Sequence, residues 1–402
     1  MNPLRSRNFR WLLGGRTFAE LGNGVAPVAL AFAVLDLTGS AVDLGIVVGA
    51  RSLATVVLVL FGGTLADRLP RSVILQGTET AAAVTQATVA ASVLFGFASV
   101  PLLIALSLAN GAVSAVSFPA TSALTPQTVP ETVLAQANAT VRLGANIGRF
   151  TGAALGGILV AGLGAGWAIG ANALIFLLGA MSYRGIRLPA HKVLTRSRPL
   201  AELAEGWREF SSRTWIWVVV AQFAVINAVN TGGMQVLGPM VADETIGRSS
   251  WGFVLAAQTV GSFAGGLLAT RWHPRRALLV GVVVTFADVV PLALLGQAPV
   301  LIPLLVATFV NGLAIELFVV AWDVSLQQNI PADRLARVYS YDLLGSFLAL
   351  PVGAVAAGPL AAHFGPRATL LGCAVLVVVA TASALLSRDI RTLRRKEPAP
   401  AS

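Results

Sequence analysis

Four acids lie inside long apolar stretches of the sequence: Glu20, Asp288, Glu316 and Asp323. A carboxyl group in such surroundings can take up and release a proton near neutral pH without any cofactor, so these four are candidates for proton coupling. Glu316 and Asp323 are seven residues apart, two helical turns, and share a face. Arg16 precedes Glu20 by four residues and shares its face. Arg51, Asn23, Asn146, Arg149, Asn227 and Asn230 also interrupt apolar runs. Polar groups so placed are costly and turn toward a cavity or toward each other, which makes them, with Arg16, candidates for lining a substrate cavity. Other readings stay open: Arg16 can snorkel, Arg51 can pair with an acid of a neighbouring helix, and Asn227 and Asn230 can bridge helices.

The elements that carry these groups are membrane-spanning helices. The 402 residues are 56% hydrophobic and 11% charged, where a soluble domain carries roughly a quarter charged residues. The mean hydropathy is +0.78. A span needs about 20 mostly apolar residues. Twelve such stretches begin near Trp11, Asp43, Val73, Pro101, Asn138, Trp167, Trp215, Trp251, Ala277, Pro299, Val338 and Ala368. Long runs such as 374–382 do not alternate, which argues against a β-barrel. The expected fold is therefore all-α, with twelve spans in two bundles of six. The expected boundaries are 1–188 for the first bundle, 189–213 for a linker with a surface helix near 200–210, 214–388 for the second bundle and 389–402 for a tail.

Charge orients the chain. Arg5, Arg7 and Arg10, then Arg68 and Arg71, Arg184 through Arg213, Arg271, Arg275 and Arg276, Arg334 and Arg337, and the last basic cluster all fall in one set of connectors. The other set holds only Arg248 and Arg367. Basic loops stay in the cytoplasm, so both termini are expected there. The formal charge of +10 does not indicate nucleic acid, because the basic residues punctuate apolar runs instead of forming a stripe on a soluble domain.

Enzymatic chemistry has little foothold. Lys192 and Lys396 are the only lysines, and neither completes a phosphate-binding GxxxxGK[ST] loop. His191, His273 and His363 are scattered among connectors, and Cys373 stands alone, so neither a metal site nor a disulfide within the chain is expected. The sequence implies no cofactor. Energy would come from an ion gradient or from the substrate's own gradient.

The two halves echo each other. Asn110-Gly111 recurs as Asn311-Gly312, Val129–Ala135 as Ile330–Ala336, and Gly164 as Gly365, each at an offset of 201. Matched repeats of six spans are a transporter plan in which the halves rock about a central site. After the second span comes GGTLADRLPRS (Gly62–Ser72). Gly63, Leu65, Asp67, Arg68 and Arg71 resemble the loop 2–3 signature of the major facilitator superfamily, with Pro70 where a second glycine is usual. The stretch GRFTGAALGG (Gly148–Gly157) is similar to that superfamily's fifth-helix antiporter motif, with Ala153 in place of its proline. Gly144, Gly148, Gly152 and Gly156 recur every four residues, so they form one face suited to close helix packing, with Gly157 beside it. The stretch Trp322–Asp342 resembles the bacterial exporter branch that includes enterobactin and macrolide efflux proteins.

The resemblance implies alternating access, with Gly63, Asp67, Arg68 and Arg71 forming a gating latch on the cytoplasmic side. It implies a proton-coupled exporter of small amphipathic molecules such as drugs, siderophores or secondary metabolites. The implied partners are that substrate, protons and the lipid bilayer of a bacterial cytoplasmic membrane, with no nucleic acid and a monomeric chain. Ser107 stands where drug–proton antiporters of the superfamily usually carry an arginine, four residues before a glycine. A facilitator, an importer or a lipid-translocating protein on the same fold, or a non-transporting sensor or scaffold, remains open on sequence alone.

Overall fold

A computed structural model describes residues 3–66, 70–122, 124–186, 207–208, 210–272 and 274–394. Among them there are helices and turns and no strand. The long helices are α1 (Arg7–Thr38), α2 (Ala41–Ala66), α3 (Arg71–Leu94), α4 (Val100–Ser122), α5 (Leu134–Leu163) and α6 (Ala165–Arg184) in the first half. The second half holds α7 (Thr214–Glu244), α8 (Arg248–Ala269), α9 (Ala277–Gln297), α10 (Leu301–Asn329), α11 (Ala332–Phe347 and Leu350–Phe364) and α12 (Pro366–Leu385).

Eleven of these are long and apolar enough to cross a membrane. The remaining one, α3, is packed in the same bundle, but Gln76, Thr78, Glu79, Thr80, Thr85, Gln86 and Thr88 dilute its apolar character. The surface helix expected near 200–210 falls almost wholly outside the described residues, as do Asp67 and Arg68.

The local rules that set the helix ends are visible. Ser6 caps α1 by accepting a hydrogen bond from the Phe9 amide at 3.3 Å. On the face remote from the termini, a single glycine joins α5 to α6 and another joins α11 to α12. Gly164 (φ 86) and Gly365 (φ 85) are the pair predicted by the repeat, and their left-handed backbone is what a one-residue reversal requires.

Packing repeats across the halves with a shift of six helices. In the first half α1 packs on α5 and α6, α2 on α4, and α3 on α4 and α6. In the second, α7 packs on α11 and α12, α8 on α10, and α9 on α10 and α12. The halves meet through α5 against α8 and α2 against α11.

The glycine ladder faces α1. A methyl group on Gly148 or Gly152 would run into the Thr17 or Leu21 carbonyl, so only glycine lets these backbones meet. Gly157 looks the other way and rests against Gly252 of α8, across the two halves.

The surface carries many large apolar side chains, as a lipid-facing surface must. Leu53, Val84, Ile302, Val306, Val352 and Val375 are each at least half exposed. Trp167 is exposed near the remote face, and Trp11, Trp217 and Trp272 are exposed toward the other, where indole rings suit membrane interfaces.

Candidate functional site

A cavity of about 290 Å³ lies between the halves. Pro27 of α1, Arg51 and Thr55 of α2 and Ser114 of α4 line one side. Gln235 of α7, Trp251 of α8 and Phe347 of α11 line the other. The lining is mostly apolar, with Arg51, Ser52, Thr55, Ser114 and Gln235 as its polar groups. Gln235 projects from a π-helical segment, Thr231–Leu237, that widens α7 at the glycine pair 232–233. Such bulges re-aim side chains and recur at functional sites.

The cavity is closed on the remote face. There Gly45 and Gly49 of α2 touch Ala354 and Val355 of α11, and Gly157 touches Gly252. Arg248, the first residue of α8, reaches across to Asp36 at the end of α1, with nitrogen–oxygen distances of 2.6 and 3.0 Å. Its other edge grips Asp243 of α7 at 2.7 and 2.8 Å. The guanidinium carbon sits 5.0 Å from the centre of the Phe32 ring. Sequence reading used Arg248 only as an exception to the charge rule; its acidic partners lie 212 residues upstream and five residues upstream.

The predicted carboxylates occupy different settings. Glu20 is buried at 3% exposure and is held by Arg16 at 2.8 Å and Arg149 at 2.6 Å. Two cavity candidates are thus engaged in an ion cluster that ties α1 to α5. Asp288 is buried, and its Oδ1 accepts from Asn230 at 2.9 Å and Asn311 at 2.8 Å. It lies in a 3₁₀ turn of α9, Thr285–Asp288. Glu316 of α10 packs beside Gly265 and faces Arg142 and Arg149 of the opposite half across the interface. Asp323 accepts from the Tyr339 hydroxyl at 2.9 Å, linking α10 to α11.

The remaining candidates divide. Arg51 lines the cavity, whereas Asn227 donates to the Ser346 carbonyl at 2.9 Å and Asn230 serves Asp288. Asn23 is exposed one turn before Pro27 and on its face. Asn146 is half-buried on α5 between Arg142 and Arg149. Of the latch residues, Arg71 begins α3, Gly63 belongs to the backbone of α2, and Asp67 and Arg68 lie outside the described residues. Ser107 borders a small cleft together with Arg51, Gln86 and Asn110, so a cation does stand beside this position but comes from α2.

Glu79 escaped the sequence reading. It is 7% exposed on α3, and its Oε2 has no hydrogen-bond partner among the described residues. The signal was present, because Glu79 is the only acid of that helix.

Two matched helical bundles enclosing a central cavity define a multi-pass membrane transporter of the major facilitator fold. The chain belongs to the transmembrane secretion effector family of that superfamily, whose model matches residues 1–400. It is 27% identical to the multidrug efflux pump Tap of Mycolicibacterium fortuitum, over 93% of this chain and 94% of that protein. It is 24% identical to the enterobactin exporter EntS of Escherichia coli, over 97% and 94%. Among solved structures it superposes on the nucleoside transporter NupG with a TM-score of 0.74 at 12% identity, covering 98% of this chain and 100% of that one. A bacterial homologue of the human lysosomal transporter Spinster, inward-facing and unoccupied, gives 0.73 at 17% identity over 97% and 98%.

Proposed function

We propose that this transporter exports small amphipathic molecules from the cytoplasm in exchange for protons, by alternating access. The observation that carries the reading is the cavity between the halves, apolar with a few polar groups and closed on one face by Arg248 and Asp36. Efflux activity in two relatives of full length supports the direction. The distribution of arginines supports cytoplasmic termini, which makes the closed face the outer one. The membrane is the bacterial cytoplasmic membrane, and the working unit is a monomer.

Among the coupling candidates Asp288 fits best. Both amide donors converge on its Oδ1, and among the described residues nothing bonds Oδ2, which is left to hold a proton. Protonating Glu20 instead gives up two guanidinium contacts. Glu316 and Asp323 remain secondary candidates, placed to report the gap between the halves and the α10–α11 junction.

The test is transport in sealed proteoliposomes with an imposed pH gradient. Substrate counterflow that follows the gradient supports antiport. Movement that ignores the gradient indicates a facilitator, and binding without movement indicates a sensor.

A further inference from the structure

Among the described residues, Arg51 is the only charged one lining the central cavity. It sits about three turns inside α2, and among the described residues its guanidinium has neither a hydrogen bond nor an ion pair. An uncompensated cation at that depth costs free energy, and such groups persist where function uses them. The two halves show what is missing. In the second half Gln258 of α8 donates to Asn311 at 2.8 Å, and Asn311 donates to Asp288. One turn along, Ser262 donates to the Gly312 carbonyl at 3.1 Å. In the first half Thr55, one turn along from Arg51, donates to the Gly111 carbonyl at the same 3.1 Å. Arg51 thus occupies the place of Gln258, and Asn110 that of Asn311. Asn110, however, donates to Thr85 at 3.4 Å, where its counterpart meets an acid. The first half has a cation at this position and a hydroxyl where the second half has a carboxylate.

We propose that the counter-charge of Arg51 is the substrate: the cavity takes amphipathic organic anions, with a carboxylate or comparable oxyanion on Arg51 and an apolar body against Leu255 and Phe347. Thr55 and Ser114 share the cavity wall with Arg51 but spend their hydroxyl hydrogens on the Gly111 and Asn110 carbonyls, so the guanidinium is the charged donor, and its fork suits a planar two-oxygen group. No acid lines the cavity among the described residues, so an organic cation finds no partner there. This inference rests on the reading of the cavity as the transport site and narrows its substrate.

Two xanthene dyes of similar shape and opposite charge test it: fluorescein, an anion carrying a carboxylate, and rhodamine 6G, an esterified cation. Binding to the purified full chain is followed by fluorescence polarisation at a pH where fluorescein is fully ionised. The wild type is expected to bind fluorescein about tenfold more tightly than rhodamine 6G, the value of one charge-assisted hydrogen bond. Arg51→Gln is expected to erase the preference and to melt no lower than the wild type, because it removes a half-buried charge that makes no ion pair among the described residues. Arg51→Lys is expected to keep most of the preference. Equal binding of the two dyes by the wild type, or a preference for the cation, overturns the proposal even if a variant aggregates; so does a folded Arg51→Gln that keeps the preference. Displacement of fluorescein by phosphatidylglycerol but not by phosphatidylcholine identifies the anion as a lipid headgroup; no displacement identifies a soluble organic acid. Dye movement in sealed vesicles separates this inference from the transport reading. Arg51-dependent binding of fluorescein without movement removes transport and leaves the anion site. Rhodamine 6G movement that ignores Arg51 does the reverse.

Discussion

Asp36 and Arg248 lie 212 residues apart and meet through two nitrogen–oxygen contacts, at 2.6 and 3.0 Å, on the face of the molecule remote from its termini. They belong to α1 and α8, one from each half, so the pair is a contact that must break whenever that face opens. Asp243 of α7 holds the other edge of the same guanidinium and fixes its plane. The site is partly exposed, with Asp36 at 41% and Arg248 at 26%, so water and salt weaken it and its value is about 1 kcal/mol at most.

Asp36→Asn is therefore expected to shift the balance toward the form open at the remote face by about fivefold. Spin-label distances between the remote ends of α2 and α11 will report the shift. High salt should mimic it in the wild type and add little in the variant. An unchanged distance distribution removes Arg248 from the gate.

Glu20→Gln leaves Arg16 and Arg149 adjacent without their shared acid. The loss is expected to be about 2 kcal/mol, below that of a fully buried pair because Arg149 is 56% exposed. Thermal melting of the detergent-purified chain will measure it. Arg149→Met should cost less, since Arg16 still holds Glu20.

Gly152→Ala places a methyl group against the Leu21 carbonyl of α1, where no flexible side chain can yield. The expected loss is about 1–3 kcal/mol. Gly162→Ala, at a position with open space around it, serves as the control and should melt with the wild type. Equal melting of the two variants would falsify close α1–α5 packing as the ladder's role.

Asp288→Asn should preserve a folded chain, because the new side chain can still accept from Asn230 or Asn311 while holding no exchangeable charge. Uphill substrate movement driven by a pH gradient is expected to vanish, while downhill exchange persists. Loss of both activities assigns Asp288 to binding or folding instead.

How much of this was legible in the sequence depends on the distance over which the responsible forces act. The spans were readable because a membrane demands a contiguous apolar run; α3 met that demand least and was still expected from its place in the pattern. The repeat was readable because Gly164 and Gly365 need the same unusual backbone, and the glycine ladder because four-residue spacing fixes a helix face. Arg16 with Glu20 followed from the same spacing. Contacts between distant helices were not readable. Nothing local in the sequence says that Arg149 joins the Glu20 cluster, that Asp36 finds Arg248, or that Asn230 turns to Asp288 while Arg51 meets no acid among the described residues. Glu79 was overlooked because its helix is polar enough to disguise a buried charge.

The most direct test of the account is to hold the remote face shut. Asp36→Cys and Arg248→Cys in a Cys373→Ser background provide two thiols for a short bismaleimide bridge between the halves. Substrate movement across sealed vesicles should stop when the bridge forms, and each single-cysteine control treated in the same way should keep its activity. Continued movement through a fully bridged protein would contradict alternating access about the central cavity.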